Sequence, residues 1–283
     1  MTSSETLSIL NHDRDLAGLV YVYPVLSRRA GGVSVGINLN PNNACNWHCA
    51  YCQVPGLVRG RAPAIDLGRL ETELSGFLTA LVHGDYLRRH APEGARAIRD
   101  IAFSGNGEPT SAVAFPEAVA LAVQLRGEFG LGREVPLRLI TNGSLIGQAR
   151  VQDGIRRLAA AGGEVWFKVD GGTREAIERI NGVVLDPAAV IRNLSRCCDL
   201  CPTWVQTCMF RWDGALPSGE ELDAYLDLLA QVGTERLAGV LLYGIARPSM
   251  QAEANHLTPL TVEELEAIAV RMRKQGLTVR VSP

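Results

Sequence analysis

Three cysteines stand close together in the segment NPNNACNWHCAYCQVPG. Cys45, Cys49 and Cys52 form the pattern C-x3-C-x2-C. Three thiolates at this spacing can hold three irons of a [4Fe-4S] cluster and leave the fourth iron without a protein ligand. An open iron implies an exogenous ligand, so the pattern predicts a cluster that can bind a small molecule directly.

Two other interpretations of these cysteines stay open. A zinc site could combine the three thiolates with His48, although a histidine next to Cys49 is awkward to place on the same tetrahedron. The thiols could also carry no ligand, but inert cysteines are usually buried in regular elements, and this loop is rich in Asn, Gly and Pro. We expect the remaining cysteines to be buried side chains of a helix and the following strand: Cys197, Cys198, Cys201 and Cys208.

The elements that position the cysteine loop follow from the hydrophobic pattern. From Val33 onward, short apolar runs alternate with longer segments of helical period, which favours parallel strands joined by crossover helices. We predict an α/β fold, a partial (β/α)6-type TIM-like barrel of mostly parallel strands over residues 33–283. Residues 1–32 are predicted to form an N-terminal extension, in which Tyr21 to Val25 could add a strand. The predicted barrel strands are Val33 to Leu39, Ile98 to Ser104, Leu137 to Thr141, Glu164 to Val169, Thr203 to Phe210, Gly239 to Tyr243 and Leu277 to Val281.

The alternation within these strands predicts which face is polar. Trp166, Lys168 and Asp170 point to one side of their strand, and apolar residues separate them. A strand enclosed between helices and an inert core would not carry Lys and Asp on one face. A polar lumen ringed by strands explains the pattern and predicts a site at the carboxyl ends of the strands.

With an aromatic residue, Tyr51, just before the last cysteine, the loop resembles the signature of the radical S-adenosylmethionine (SAM) superfamily. The resemblance covers nearly the whole chain from Val33. It implies that SAM chelates the open iron of a [4Fe-4S] cluster, and that an electron from the reduced cluster cleaves SAM to a 5'-deoxyadenosyl radical. That radical abstracts hydrogen from a substrate. The two implied cofactors are therefore the cluster and SAM, with Tyr51 next to the cofactor.

The segment after the second barrel strand is similar to the superfamily's Gly-Glu-Pro loop, which binds the SAM ammonium group. The resemblance makes Gly105, Gly107, Glu108 and Pro109 cofactor-binding residues. Glycines let the backbone approach a ligand, and proline biases the preceding residue towards an extended conformation. Asn106 separates the two glycines, which are often adjacent in the superfamily.

Four further residues complete the predicted site. Asn142 follows the third strand and looks like the superfamily's contact to the ribose or carboxylate of SAM, although a plain strand-end turn also explains it. Lys168 and Asp170 are the predicted catalytic residues, and Lys168 would pair with the SAM carboxylate; a purely structural pair is the alternative. Arg247 closes the sixth strand on the adenine or substrate side, or is only a loop charge.

Composition limits the partners. The chain has 283 residues, a net charge of -2 and no long basic run, so electrostatics do not indicate a general nucleic-acid binder. No window approaches the ~18 apolar residues of a membrane span, and we expect a cytoplasmic protein without a membrane partner.

The site motifs look most like the branch that contains wyosine-type tRNA-modifying enzymes. No cysteine precedes Cys45 to build that branch's second cluster. We therefore predict a radical SAM enzyme that acts on a small molecule or peptide with a cellular one-electron reductant. The alternatives are a tRNA-modifying enzyme and an iron-sulfur electron-transfer protein.

Overall fold

The computed structural model of the protein describes residue 7 and residues 18–27 and 31–283. Its strands are β1 Val22–Ser27, β2 Gly32–Ile37, β3 Ala44–Cys45, β4 Val58–Arg59, β5 Ile98–Phe103, β6 Leu137–Thr141, β7 Glu164–Lys168, β8 Thr203–Cys208, β9 Phe210–Trp212, β10 Gly239–Tyr243, β11 Leu257–Pro259 and β12 Val279–Ser282. Its α-helices are α1 Leu67–Val82, α2 Tyr86–His90, α3 Phe115–Glu128, α4 Ala149–Ala160, α5 Arg174–Asn181, α6 Pro187–Leu200, α7 Gly219–Val232 and α8 Val262–Lys274.

The main sheet of the described chain has eight strands in the order β1-β2-β5-β6-β7-β8-β10-β12. All neighbouring pairs are parallel except β1 with β2. Each parallel strand lies beside the next one along the chain, with helical crossovers between them, so the sheet curls into a partial barrel. This confirms the predicted fold class. β12 adds a parallel strand after the six of the barrel, and β1 extends the opposite edge.

The part of the predicted N-terminal extension that the structure describes belongs to this sheet. Tyr23 of β1 pairs with Gly36 of β2, where a Cβ atom would lie 2.3 Å from the tyrosine ring. The Tyr23 hydroxyl shares a hydrogen bond of 2.7 Å with Ser104. The buried Glu73 of α1 accepts a hydrogen bond from the Tyr21 backbone at 2.7 Å and so fixes the start of β1. Most of residues 1–17, and residues 28–30, lie outside the described residues.

The helix starts confirm the capping signals in the sequence. Ser218 and Glu221 exchange both hydrogen bonds of a capping box at the start of α7, and Thr261 and Glu264 do the same for α8. Asp186 caps α6, where Pro187 occupies the first turn. Short polar side chains therefore set where these crossover helices begin.

The four late cysteines belong to the packing between helices and sheet. Cys197 and Cys201 are buried in the main core, and Cys198 packs against it. Thr203 donates a hydrogen bond to the Cys197 sulfur at 3.4 Å, while Cys208 is buried at the end of β8. This is the structural role that the sequence predicts for them. No helix among the described residues combines the length and the apolar character that crossing a membrane requires.

Candidate functional site

A cavity of about 260 Å³ lies inside the partial barrel and reaches the cysteine loop. All the predicted site residues except Pro109 and Asp170 line it: Cys45, Cys49, Tyr51, Cys52, Gly105, Gly107, Glu108, Asn142, Lys168 and Arg247. These residues come from the loops and ends of five parallel strands, as expected for a barrel with its site at the carboxyl edge. The structure therefore brings together motifs that lie some 200 residues apart in sequence.

Hydrogen bonds from two distant segments hold the cysteine loop in place. The His48 and Ala50 amides donate to the last two carbonyls of α5 at 3.0 and 2.7 Å. On the other side, the Ser249 hydroxyl donates to the Ala50 carbonyl at 2.6 Å and the Met250 amide to the Cys52 carbonyl at 2.9 Å. Gly182 ends α5 in the left-handed region, and a Cβ there would lie 2.6 Å from the His48 carbonyl. These contacts between protein groups therefore fix the position of the loop.

The donor set of the loop, three cysteines on one cavity, matches the three-thiolate ligation of a [4Fe-4S] cluster. The three cysteines line one cavity, but no three His, Cys, Asp or Glu side chains of the described chain are grouped to hold one ion. His48 does not line the cavity, so the structure gives no support to the zinc alternative. In such a cluster each thiolate binds a different iron. Burial raises the pKa of the Cys45 thiol to about 11 and that of Cys49 to about 12, so loading must release protons.

The glycines of the Gly105 to Glu108 segment let it pack tightly against the loop after β2. Gly105 has a φ of +135°, and a Cβ there would lie 2.4 Å from the Asn38 side-chain oxygen. At Gly107 a Cβ would lie 2.0 Å from the Ala44 carbonyl. Any side chain at these positions would displace the start of the cysteine loop. The glycines therefore serve backbone packing in addition to the predicted access for a ligand.

Glu108 is buried and joins the ends of β5 and β6. Its carboxylate accepts hydrogen bonds from the Thr110 amide and hydroxyl at 3.1 and 2.6 Å, from the Thr141 hydroxyl at 2.6 Å and from the Asn142 amide at 2.7 Å. Burial raises the pKa of Glu108 even though these bonds lower it. The side chain is saturated by protein donors, so it shapes the cavity wall.

Asn142 links the end of β6 to the cysteine loop. Its amide nitrogen donates to the Asn46 side chain at 2.9 Å, and its oxygen accepts from the Ser144 hydroxyl at 2.7 Å. Asn46 in turn donates to that hydroxyl at 2.7 Å. Asn142 therefore forms a strand-end turn and also lines the cavity, and its predicted contact to SAM stays a prediction.

Lys168, Tyr51 and Asp170 form one hydrogen-bonded group. Lys168 donates to the Tyr51 hydroxyl at 2.9 Å, and that hydroxyl donates to Asp170 at 2.5 Å. Burial lowers the pKa of Lys168, but Tyr243, Cys49 and Asp170 raise it by more, so the ammonium group stays charged. Asp170 is buried and also accepts from the Cys208 amide at 2.9 Å. Asp170 therefore orients Tyr51 and does not itself face the cavity.

Comparison with known proteins now identifies the family. The family model described as the Radical SAM superfamily matches residues 39–215. The chain belongs to the radical SAM superfamily. This model describes the whole superfamily and not its separate branches. The likeness to the wyosine-type branch therefore stays a prediction.

Solved structures agree with this family in fold. A radical SAM methyltransferase from Sphaerobacter thermophilus has a TM-score of 0.57 and 16% identity, over 88% of this chain and 66% of that one. A histidine-tagged form of anSMEcpe with bound AdoMet has a TM-score of 0.52 and 15% identity, over 87% and 64%. The chain thus spans just under two thirds of both. It is also 26% identical over 123 residues to the GTPase Obg of Brachyspira hyodysenteriae (strain ATCC 49526 / WA1), 44% of this chain and 15% of that protein.

Two residues of this radical SAM site were missed by the sequence analysis. Asn181 donates to the Cys49 sulfur at 3.4 Å and to Asp170 at 2.8 Å. Gln53 contacts Arg247 through its side-chain oxygen at 3.3 Å, which joins the cysteine loop to the segment after β10. Asn181-Gly182 has the sequence of an ordinary helix end, so nothing in it indicated a contact to a cysteine.

A network of charged side chains occupies the inner part of the barrel. Arg138 of β6 is paired with Asp100 of β5 and, at 2.6 Å, with Glu164 of β7. Its guanidinium lies over the ring of Trp166, 4.7 Å from the centroid, and Ser34 donates to Asp100. The polar lumen predicted from strand alternation is therefore confirmed, and one arginine bridges the two innermost carboxylates across neighbouring strands.

Proposed function

We propose that the protein is a radical SAM enzyme that reductively cleaves SAM in the barrel cavity. Cys45, Cys49 and Cys52 would hold the [4Fe-4S] cluster. The observation that carries this proposal is that the three cysteines line the same cavity as the Gly105 to Glu108 segment and Lys168. An electron-transfer protein would not need a cavity with an ammonium group and a glycine-rich wall beside its cluster.

The side chains of the cavity would bind and orient SAM. When bound, the cluster and SAM together supply a 5'-deoxyadenosyl radical that can abstract hydrogen. The charged Lys168 would attract the SAM carboxylate, and backbone carbonyls of Gly105 to Gly107 would accept hydrogen bonds from its ammonium group. Arg247 lines the same cavity on the far side of the barrel mouth, where it would contact the adenosine part or the substrate.

A small molecule or a peptide is the substrate class that we propose. The cavity lies within the barrel, and its innermost charges are already paired with one another. A net charge of -2 offers little general attraction for tRNA. The enzyme would also need a one-electron reductant, and its clustered thiols call for a reducing compartment, which supports the predicted cytoplasmic location.

Anaerobic reconstitution and SAM cleavage test this function. We expect roughly four irons per chain from the stoichiometry of the cluster, and 5'-deoxyadenosine with methionine after reduction in the presence of SAM. SAM should also change the electron paramagnetic resonance spectrum of the reduced cluster. Replacement of all three cysteines by Ala should abolish iron binding and cleavage together. A full cluster whose spectrum ignores SAM would instead indicate electron transfer.

A further inference from the structure

Gln206 is a buried polar residue whose side chain the protein does not satisfy. It lies near the end of β8, is 1% exposed and lines the barrel cavity. Among the described residues it is the one glutamine or asparagine whose amide oxygen and nitrogen are both buried without a hydrogen-bond partner. A buried amide left unpaired is costly, and buried polar side chains are nearly always paired. The unpaired amide of Gln206 therefore indicates a binding position for a ligand with complementary polar groups.

The surroundings of Gln206 limit what that ligand can be. In the sheet register Gln206 lies beside Lys168 of β7, which is engaged with Tyr51. Arg247, the other cation that lines this cavity, donates to the Gln53 side chain at 3.3 Å. Lys168 and Arg247 each have a protein partner and are proposed above to contact SAM, whereas a neutral donor and a neutral acceptor are left over at Gln206. The complementary ligand is a neutral group with one acceptor and one donor side by side.

An apolar wall, bordered by the Arg138 network, lies one layer further into the barrel. Trp166 and Trp204 precede Lys168 and Gln206 by two residues on the same face and pack together with Leu241. Trp166 and Ile140 line the cavity itself. A flat ring with an amide edge could therefore lie against this wall and pair with the glutamine.

We propose that Gln206 is a substrate-recognition residue for a small molecule that carries a planar amide or lactam edge. This inference rests on the proposed radical SAM function, since it names the substrate class of the same cavity. The amide oxygen of Gln206 would accept the ligand N–H, and its amide nitrogen would donate to the ligand carbonyl. Such a pairing would satisfy both polar atoms of the Gln206 amide.

The test compares two neighbouring residues of β8 that face opposite sides of the sheet. Thr207 is buried like Gln206, but its hydroxyl shares a hydrogen bond of 2.7 Å with Tyr225. Gln206→Leu removes an unsatisfied amide, so we expect the melting temperature of the reconstituted protein to rise by about 2 °C or more. Thr207→Val removes a satisfied hydroxyl and should lower it by a similar amount. A lower melting temperature for Gln206→Leu would show that the protein pairs this amide and would overturn the proposal.

Binding is measured with 2-pyridone, a flat lactam, and with N-methyl-2-pyridone, which has the same ring but no N–H. We expect the reconstituted protein to bind 2-pyridone about tenfold more tightly than its methylated form. Gln206→Leu should lose this preference, and Thr207→Val should keep it. Equal binding of both probes to the wild-type protein, or no binding of either, would mean that Gln206 holds water only and would overturn the proposal.

SAM cleavage by the same preparations separates this inference from the proposed function. If the wild-type protein cleaves SAM but shows no lactam preference, the inference fails and the radical SAM function stands. If the lactam preference depends on Gln206 but SAM is never cleaved, the recognition site stands and the proposed chemistry fails. Thr207→Val should cleave SAM at the wild-type rate, because its side chain faces α7 and not the cavity.

Discussion

Lys168 is the cation that the barrel presents next to the cysteine loop. Its ammonium donates to the Tyr51 hydroxyl and lies 4.7 Å from the centroid of that ring. A charge-assisted hydrogen bond to the SAM carboxylate is worth roughly 1.5 to 3 kcal/mol. We therefore expect Lys168→Met to weaken SAM binding by about ten- to a hundredfold in titrations of the reconstituted protein, with its iron content unchanged.

Two controls accompany the lysine variant. Lys274, the other lysine of the chain, is exposed at the end of α8, and Lys274→Met should bind SAM like the wild-type protein. Lys168→Arg should recover only part of the affinity, because a planar fork does not replace a compact point charge. Wild-type affinity in Lys168→Met would make the contact between Lys168 and Tyr51 purely structural.

Asn181 is the residue that contacts a cysteine sulfur from outside the loop. Its amide donates to the Cys49 sulfur and to Asp170. Hydrogen bonds to the ligand sulfurs of a cluster stabilise its reduced, more negative state. Asn181→Leu should therefore shift the midpoint potential of the cluster to more negative values in a redox titration.

Tyr51→Phe is the matched control for this potential. It removes the hydrogen bonds of Tyr51 to Asp170 and Lys168 and leaves the contact between Asn181 and Cys49 in place. We expect a smaller shift in this variant than in Asn181→Leu. Equal potentials in Asn181→Leu and the wild-type protein would contradict a role of this contact in the loaded enzyme.

At the scale of elements, Glu108 joins two neighbouring strand ends across the cavity wall. A glutamine in its place would present an N–H group to protein donors, so Glu108→Gln should lower the free energy of unfolding by about 1 to 3 kcal/mol. Since burial raises the folded-state pKa of Glu108, its contribution is fully present below the unfolded pKa and is lost as the pH rises through the folded one.

Urea unfolding at several pH values measures this contribution. The stability difference between the wild-type protein and Glu108→Gln should shrink as the pH rises from about 4.5. The charge of Glu108 raises the pKa of the neighbouring Cys45 thiol. The same comparison of Glu108 with Glu108→Gln is therefore repeated in proteins that also carry Cys45→Ser. A difference that grows with pH would mean that the hydrogen bonds to Glu108 outweigh its burial.

The elements themselves were largely predictable, because their signals are local. The strands over residues 137–141 and 239–243 have the predicted bounds, and the capping boxes of α7 and α8 follow from two residues each. The predicted strand from Thr203 to Phe210 is divided, since β8 ends at Cys208 and Phe210 begins β9, which pairs with β11. That break depends on a partner almost 50 residues later in the chain, and no local pattern reveals it.

The site was predictable in its motifs and not in its supporting contacts. The spacing of the three cysteines and the alternation around Lys168 are visible in one segment each. Asn181 has its role because it contacts partners on other elements, and Gln206 because it has none. Asp170 contacts Tyr51 and does not line the cavity. Such roles arise only when the crossover connections bring distant strands and helices together.

For the whole molecule, the packing that holds the fold is separate from the site that carries the chemistry. The main core runs between the sheet and its helices and includes none of the three loop cysteines. Cys49 belongs to a small cluster with Tyr51, Cys208 and Phe210. The loop is also fixed by hydrogen bonds to α5 and to residues 249–250, which do not depend on a metal. Unlike a zinc finger, whose core is too small to fold alone, this fold should not require its cluster.

Hydrogen exchange tests this separation in the variant that replaces Cys45, Cys49 and Cys52 together by Ala. We expect the amides of β5, β6, β7 and β8 to keep wild-type protection, and faster exchange to be confined to the loop and its contacts, because local opening follows local packing. Leu139→Ala is the positive control: it removes a fully buried core side chain, should cost about 2 to 5 kcal/mol, and should raise exchange across the whole sheet. Sheet-wide loss of protection in the cysteine variant would show that the cluster is part of the folding core, since the protein contacts around the loop would then be too weak to hold the barrel closed without it.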